Sequence, residues 1–328
     1  AYSPARGLRD DFGGQEDLKK GILRCVGDPG ERFREDALRL LRALRFAARF
    51  GLTIEEKTAA ALRENRALLR NVSPERIFSE LKGILCARGA GEMLLAFPEV
   101  FFAFLPELAP MQGFDTRRPQ NHCWDVWGHT AHAVDTIAPE PGLRLTMLFH
   151  DSGKPETFRF DAQAGVGRFP GHPAISARIA DTALRRLRCD NATRERVITL
   201  VENHEMRTGH GKKDLRRLLA KIGEENMRDL LLVRRADAAA HAPEAAARLT
   251  ALAGEDERLL NEIVAERGCL HVKDLAVSGN DLLALGLKPG SAVGETLARL
   301  LDRVLDEELP NEKEALLTAA RKEIQEHE

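Results

Sequence analysis

The sequence predicts a mainly α-helical protein, built as a multi-domain helical array with a short α/β remnant at its N-terminus. After residue 30, segments rich in Ala, Leu, Arg and Glu place apolar residues at 3.6-residue spacing, and β-branched runs are nearly absent. That pattern is typical of helices. The chain has 328 residues, enough for more than one domain. We therefore expect more than one helical core.

Turn signals divide the chain into its elements. Residues 1–26 contain a glycine-rich turn at 12–14, a short polar helix start and an apolar stub at 22–26, which together indicate the end of an α/β unit. The clearest later breaks lie at Gly51 and at residues 71–74, 139–142 and 288–290. Residues 158–170, with two glycines, are the one later stretch that favours a β-hairpin.

Composition narrows the class of protein. The net charge is −2 with 30% charged residues, so a nucleic-acid surface would require local segregation of charge. The cysteines are odd in number, scattered and never in a CxxC motif: Cys25, Cys86, Cys123, Cys189 and Cys269. This argues against a disulfide framework or a thiolate zinc site and for a reducing compartment. Pro and Glu interrupt the most apolar stretch, residues 93–108, so we expect a soluble, cytoplasmic protein with no membrane partner.

Residues 35–49 predict one continuous helix with a basic face. One arc is apolar and comprises Ala37, Leu40, Leu41, Leu44 and Ala48. Another arc carries Arg39, Arg42 and Arg49, with Arg45 at its edge. Residues 31–88 as a whole hold thirteen Lys and Arg against eight Asp and Glu. This segment is therefore the natural place for phosphate contacts.

Asp36 and Arg39 lie one turn apart on that helix, and two interpretations stay open. The simpler one is an exposed i,i+3 ion pair. In the other, the carboxylate accepts from an exocyclic amino group and the guanidinium donates to a ring nitrogen or carbonyl oxygen. Cytosine and adenine both carry an amino group beside an acceptor, whereas uracil and guanine present a carbonyl there. Such a pair would accept C and A and reject U and G.

Six residues with nitrogen or oxygen ligand atoms recur at helix-length intervals: His129, His150, Asp151, His172, His204 and Asp237. Any single histidine is more often structural, and we leave His122, His132, His210 and His241 as ordinary. The local sequence around the six candidates favours a ligand role. His150-Asp151 follows an apolar segment, His204 ends a predicted helix and Asp237 lies among alanines. Imidazole with carboxylate suits Zn, Mn, Fe or Mg. The set predicts metal-dependent cleavage of a phosphoester.

The catalytic residues of that predicted site are His150, Asp151 and Lys154. A divalent ion held there would lower the pKa of water and polarise a phosphoryl group, which suffices for hydrolysis without a protein nucleophile. Lys154, three residues after Asp151, would pair with a phosphate oxygen or with an acidic neighbour.

Several motifs resemble the bacterial class II tRNA nucleotidyltransferase/poly(A) polymerase family (the CCA-adding type). They are DFGGQEDL at 11–18, GDP at 27–29, RFREDALRLLRALRFA at 32–47, SPERIFSEL at 73–81, LAVSGNDL at 275–282 and GLKPG at 286–290. The resemblance covers essentially the whole chain. It implies that Asp36 and Arg39 read the base of incoming CTP or ATP. Arg42 and Arg45 would lie near the nucleotide or in the neck core.

The order His, His-Asp, His, His, Asp resembles the HD superfamily of metal-dependent phosphohydrolases, which implies an α-helical HD domain. By that resemblance His129, His150, Asp151 and Asp237 hold the first metal ion. His172 and His204 would complete a second site or contact phosphate. The metal would be Mn, Ni, Zn, Fe or Mg.

The resemblance also implies a domain order. It comprises a remnant of the nucleotidyltransferase head (1–26), a helical neck for base recognition and RNA (27–88), connecting helices (89–120), the HD domain (121–245) and a helical tail for tRNA (246–328). The family's transfer chemistry needs Gly-Ser followed by paired carboxylates that hold Mg, and residues 1–328 contain no such motif. We therefore expect a fragment, or a form without the head, that does not transfer nucleotides alone.

The leading functional hypothesis is thus part of a tRNA 3′-end nucleotidyltransferase, CCA- or A-adding, with a phosphohydrolase or 2′,3′-cyclic phosphodiesterase in its HD domain. Its partners would be tRNA, CTP and ATP. Two alternatives stay open: a poly(A) polymerase fragment, and a catalytically silent RNA-binding module with an idle HD metal site. The turn at residues 286–294 fits either a phosphate-binding helix start or a tight helix–helix joint.

Overall fold

The computed structural model describes residues 2–4, 7–116, 123–205, 211–266 and 268–326. His122 and His210, both predicted to be ordinary, lie outside these residues. The chain divides into two compact units, one formed by Ala1–Glu205 with Leu232–Thr250 and the other by Met206–Leu231 with Ala251–Glu328. Helices dominate both units, which confirms the predicted mainly α fold.

The first unit begins with the short α/β region. Its elements are β1 (Tyr2–Ser3), β2 (Gly7–Leu8), α1 (Gly14–Lys19), β3 (Ile22–Leu23) and β4 (Thr53–Ile54). β1 pairs antiparallel with β2, and β3 pairs parallel with β4. The expectation that everything after residue 30 is helical is therefore wrong at β4. A β-branched pair there follows Gly51, whose φ of 64° ends the preceding helix.

Four helices and one 3-10 turn form the region predicted as the neck: α2 (Pro29–Glu35), α3 (Leu38–Phe50), α4 (Glu56–Asn65), the 3-10 turn Arg66–Asn71 and α5 (Pro74–Leu85). The single predicted helix over residues 35–49 is wrong, because the backbone is extended at Asp36, with φ −148° and ψ 102°. The Asp36 carboxylate accepts a hydrogen bond from the Leu38 amide at 3.1 Å. A short acidic side chain that bonds the nearby backbone competes with helix continuation in this way.

The apolar arc of α3 is confirmed as core. Leu40, Leu41 and Leu44 are fully buried, and α3 packs against α5. The opposing helix contributes buried Leu81 and Ile84. Burial of each such leucine stabilises the fold by about 1.5–3 kcal/mol, so α3 and α5 form a firm base for the charged residues above them.

The rest of the first unit before residue 205 is helical except for one hairpin. Its elements are α6 (Ala90–Ala96), α7 (Pro98–Phe102), the 3-10 turn Pro106–Met111, α8 (Val126–Thr136), α9 (Pro141–Phe149), α10 (Lys154–Thr157), β5 (Arg159–Asp161), β6 (Val166–Arg168), α11 (His172–Arg186) and α12 (Asn191–Asn203). β5 and β6 pair antiparallel, which confirms the predicted hairpin. α9 is buried along its whole length and packs against α8, α11 and α12.

Two long helices follow, α13 (Lys212–Ala239) and α14 (Pro243–Ala265). Gly223 interrupts α13 with φ 79° and ψ 165°, a conformation that favours glycine. The second unit also contains the 3-10 turn Val272–Asp274, α15 (Gly279–Ala284), α16 (Ser291–Leu305) and α17 (Lys313–Glu326). Leu282, Leu300 and Leu316 are fully buried in its core. Within the described ranges, no helix combines the length and apolar character that crossing a bilayer requires.

Candidate metal centre

Helix ends deliver most of the six predicted metal ligands. His150 is the residue that ends α9 and is followed directly by Asp151, His172 is the first residue of α11, and His204 ends α12. His129 lies within α8 and Asp237 within α13. A helix end fixes the position and direction of its last side chain. Because α8, α11 and α12 pack against α9, the ligand side chains on these helices can lie close together.

The structure brings all six residues together as two groups of three. The first group is His129, His150 and Asp237, and the second is Asp151, His172 and His204. Within each group, one ligand atom per residue lies within 4.8 Å of the others. All four histidines and Asp151 are buried.

Asp151 lies between the two groups and presents one oxygen to each. Its Oδ2 is 3.3 Å from His150 Nε2 and 3.7 Å from His129 Nε2. Its Oδ1 is 3.4 Å from His172 Nε2 and 3.6 Å from His204 Nε2. The sequence grouped Asp151 with the first set alone, whereas this geometry suits a carboxylate that bridges two positions.

Asp237 completes the first group from α13. Its Oδ1 is 2.8 Å from His129 Nε2 and 3.5 Å from His150 Nε2. The sequence predicts a buried acid among alanines, and the flanking Ala236 and Ala238 are indeed buried. The Asp237 side chain itself is 27% exposed, because it lines a cavity that opens from the cluster.

All four imidazoles are held in the same way. The Nδ1 of each contacts a backbone carbonyl oxygen: His129 to Ala240 at 3.2 Å, His150 to Met147 at 2.7 Å, His172 to Phe169 at 3.1 Å and His204 to Val201 at 2.7 Å. A carbonyl can only accept, so each Nδ1 carries a proton and each ring directs its Nε2 into the cluster. Histidines that bind metal ions are oriented by this kind of bond.

The close approach of the Nε2 atoms requires a cation in each group. The Nε2 atoms of His129 and His150 are 3.3 Å apart, and those of His172 and His204 are 3.2 Å apart. Two lone pairs at that separation repel unless a proton or metal ion lies between them. Asp151 Oδ1 is also buried without a hydrogen-bond partner. Nitrogen and carboxylate ligands of this number and kind fit a divalent transition metal.

The pKa directions describe the same preference for positive charge. Burial would lower the pKa of His150, but the charges and hydrogen bonds of Asp151 and Asp237 raise it to about 10. Burial also raises the pKa of Asp151 and Asp237, yet neighbouring cationic groups hold both pKa values well below the usual range. For His204, burial is the largest effect and lowers the pKa. Two ionised carboxylates thus remain in a buried site, which attracts cations.

Lys154 pairs with the acidic neighbour. Its Nζ is 2.6 Å from Asp151 Oδ2, and the side chain is buried with its ammonium 5.6 Å from the centre of the Phe169 ring. In this structure the lysine therefore pairs with Asp151, the acidic neighbour, and it also lines the cavity beside the cluster.

A cavity of about 250 Å³ opens beside the cluster, lined by Asp151, Lys154, Phe169, His172, His204, Glu205, Asp237, His241, Arg248 and Leu249. Sequence reasoning missed Glu205, His241 and Arg248. The His241 ring centre is 4.9 Å from that of His129. His241 lies four residues after Asp237, a spacing that places two side chains on one face and could have revealed it. His132 instead packs on the Trp124 ring at 4.3 Å.

The predicted base-reading pair lies in a different environment. Arg39 Nη1 donates to Glu35 Oε2 at 2.7 Å and to the Arg32 carbonyl at 2.9 Å. Asp36 Oδ2 is 3.4 Å from Arg76 Nη2. Asp36 and Arg39 therefore have separate partners, and the i,i+3 ion pair considered from the sequence is replaced by these contacts. Both side chains are about one-third exposed, at 32% and 34%.

The two neighbouring arginines differ from each other. Arg42 is exposed. Arg45 Nε is 2.8 Å from Glu80 Oε2 on α5, and its side chain covers Gly83, where an added Cβ would lie 2.5 Å from Arg45 Cδ. Arg45 therefore belongs to the packing of α3 on α5, while Arg42 remains open to solvent.

Two family models match the chain. The one for tRNA nucleotidyltransferase domain 2 matches residues 174–320. The one described as "Probable RNA and SrmB-binding site of polymerase A" matches residues 51–111. The computed structure also resembles the CCA-adding enzyme of Bacillus stearothermophilus, solved in complex with CTP, with a TM-score of 0.69 and 22% identity. That likeness covers 99% of this chain and 71% of the other, and it shows a shared fold.

Curated relatives extend the match in sequence. The CC-adding tRNA nucleotidyltransferase of Thermus thermophilus is 33% identical over 316 residues, which span 92% of this chain and 70% of that protein. The A-adding tRNA nucleotidyltransferase of Deinococcus radiodurans is 32% identical, over 92% of this chain and 71% of that protein. Identity at this level over most of both chains means that this protein belongs to the tRNA nucleotidyltransferase family.

Proposed function

We propose that residues 1–328 serve a tRNA 3′-end nucleotidyltransferase, to which they contribute base recognition, tRNA binding and a second, metal-dependent phosphohydrolase site. Family membership supports the first part. The two convergent groups of ligand atoms around Asp151 carry the second part. The CC-adding and A-adding relatives are almost equally similar to this chain, at 33% and 32% identity, so both nucleotide specificities fit the proposal.

In the proposed phosphohydrolase, His129, His150 and Asp237 hold one divalent ion, and His172 with His204 hold a second or contact phosphate. Asp151 serves both positions. An ion bound by these residues would lower the pKa of a water molecule and polarise the phosphoryl group. The chain itself fixes the imidazole rings through their Nδ1 bonds and keeps Asp151 ionised through Lys154. The observation that best supports this proposal is the short distance between buried Nε2 atoms, 3.3 Å for His129 and His150 and 3.2 Å for His172 and His204.

The substrate of this site would be a small phosphoester, such as a 2′,3′-cyclic nucleotide. A volume of about 250 Å³ lies below the usual range of cavities that enclose drug-sized ligands, about 300–1,000 Å³. Phe169 and Leu249 give the cavity apolar walls, which suit a sugar or part of a base. A long internal stretch of RNA would not fit inside it.

The proposed base-reading role rests on residues that can exchange partners. The Asp36–Arg76 contact of 3.4 Å is long for a hydrogen bond, and exposed ion pairs of this kind contribute little to stability. Asp36 could therefore turn to the amino group of an incoming CTP or ATP at small cost. Arg39 would donate to the same base, and exposed Arg42 would meet phosphate.

The proposed RNA surface is basic and includes the neck, residues 27–88. Its excess of Lys and Arg supports phosphate contacts, and the match of residues 51–111 to an RNA-binding family model agrees with this. In the second unit, the proposed tail contact lies at the turn before α16, where Gly290 has φ 148° and precedes the helix start. Such contacts would recognise shape and backbone more than base sequence.

Metal analysis together with a hydrolysis assay tests the phosphohydrolase. Purified protein should bind about one or two equivalents of Mn, Ni or Zn and hydrolyse 2′,3′-cyclic AMP. Asp151→Ala should abolish hydrolysis. Glu156→Ala is the control, because Glu156 lies on α10 beside the cluster but pairs at the surface with Arg178. Metal binding without hydrolysis would favour the alternative of an RNA-binding module with an idle site.

A further inference from the structure

Arg248 is a cation of the cavity that pairs with none of the described acidic residues. It lies on α14, is exposed and lines the cavity beside the metal ligands. Within the part of the chain that the structure describes, Arg248 forms no ion pair or hydrogen bond. The other cation of the cavity, Lys154, contacts Asp151 at 2.6 Å. The acid at the rim, Glu205, is directed instead to His172 Nδ1 at 3.6 Å.

The chemistry of the guanidinium decides what such a group can bind. Arginine donates through a planar fork that matches two oxygens of one phosphate, and bonds between charged partners are the strong ones. Because Lys154 is already paired, Arg248 is the lining cation that remains available to an anionic ligand. The cavity is small, so a phosphate at the ligand cluster lies within reach of its walls.

We propose that Arg248 is the specificity-determining residue of this cavity, which binds two non-bridging oxygens of the substrate's phosphate. This inference rests on the proposed phosphohydrolase site and names its substrate class. A phosphomonoester carries three such oxygens and a cyclic phosphodiester two, whereas a phosphotriester carries one and is rejected. Arg248 acts by binding, so its loss raises KM and leaves kcat nearly unchanged.

Inorganic phosphate is the probe that tests Arg248 directly. Its affinity is measured by calorimetry on the full chain, both metal-free and loaded with Mn²⁺. Arg248→Ala should weaken phosphate binding about tenfold to a hundredfold, the loss expected for charge-assisted hydrogen bonds. Arg248→Lys keeps the charge without the fork and should fall between. Arg159→Ala is the control, since Arg159 is exposed and does not line the cavity, and it should bind phosphate as wild type does.

The outcomes separate this inference from the function on which it rests. Unchanged phosphate affinity in Arg248→Ala, or a wild-type chain that binds no phosphate in either state, would overturn the role of Arg248. A fall in kcat for 2′,3′-cyclic AMP at constant KM would overturn it as well. Phosphate binding that depends on Arg248, in a chain that takes up no Mn²⁺ when the metal is offered, would support the arginine's role and refute the metal-dependent function. Equal metal content in the wild type and Arg248→Ala shows that this substitution leaves the ligand cluster intact.

Discussion

The candidate metal centre and the predicted base-reading pair lie in the same compact unit, yet their polar groups are held in opposite ways. At the metal centre, four imidazoles and Asp151 are buried, and each ring is fixed by a backbone carbonyl. Asp36 and Arg39 are one-third exposed and engaged with ordinary surface partners. The first arrangement is preorganised for one kind of ligand, whereas the second can release its partners when a base arrives.

This contrast predicts its largest effect on stability. In the metal-free chain, Asp151→Asn should lower the free energy of unfolding by about 3–5 kcal/mol, because buried Lys154 loses its counter-ion. Asp36→Asn removes a charge of the same sign but should cost only about 0–1 kcal/mol, since Arg76 can be solvated. Urea unfolding of both variants measures the difference. A similar loss of unfolding free energy in Asp151→Asn and Asp36→Asn would mean that the two regions hold their charges in the same way.

The same centre predicts a pH dependence in the alkaline range. Burial lowers the pKa of His150, but the nearby carboxylates Asp151 and Asp237 raise it to about 10. A raised folded-state pKa stabilises the fold below the ordinary value of about 6.5, and that stabilisation is lost as pH rises towards 10. The metal-free chain should therefore lose Tm between pH 7 and 9.5, and His150→Gln should lose less. The lowered pKa of His204 acts at acidic pH and leaves this window unaffected.

Metal loading sharpens that test. A bound divalent ion replaces the proton shared by the imidazoles, so the loaded chain should keep its Tm over the same pH range. Differential scanning calorimetry at matched ionic strength compares the two states. If Tm falls with pH in the same way for the loaded and the metal-free chain, the six ligand residues bind no metal ion.

The base-reading pair should show its effect on specificity and little on stability. In a protein that supplies the family's nucleotidyl-transfer head, Asp36→Ala should relax discrimination against UTP and GTP by about 1–3 kcal/mol, the cost of one bidentate base contact. Competition between CTP and UTP for incorporation measures this ratio. Glu31→Gln, an exposed acid in the first turn of α2, controls for charge. An unchanged ratio would leave Asp36 as the surface partner of Arg76.

The sequence predicted best the features that depend on neighbouring residues, such as the starts and ends of helices. α5 and α9 begin at Pro74 and Pro141, within the predicted breaks, and α3 ends at the predicted break at Gly51. The six candidate ligands could also be named from the sequence, because their residue types and local contexts are visible there. The break at Asp36 was missed, since the apolar spacing on both sides of it continues through the interruption. A hydrogen bond between one side chain and the backbone outweighs that pattern.

Convergence from separate helices lies beyond sequence spacing. Arg248 reaches the cavity from α14, and no motif or periodicity links it to His150 or Asp151. Likewise, the sequence presents Arg39 as the natural partner of Asp36, whereas the fold brings Arg76 from α5 to that position. Packing decides these contacts, so only a three-dimensional structure can reveal them.

The smallest predicted effect concerns RNA and separates two adjacent arginines of α3. Arg42 is exposed, whereas Arg45 is committed to Glu80 and covers Gly83. If the neck contacts tRNA phosphates, Arg42→Ala should reduce the slope of log affinity against log salt by about one. Arg45→Ala should lower the Tm by loosening α3 against α5, with a smaller change of slope. Filter binding of tRNA at several salt concentrations gives the slopes, and equal slopes for wild type and Arg42→Ala would move the phosphate contacts off this face of α3.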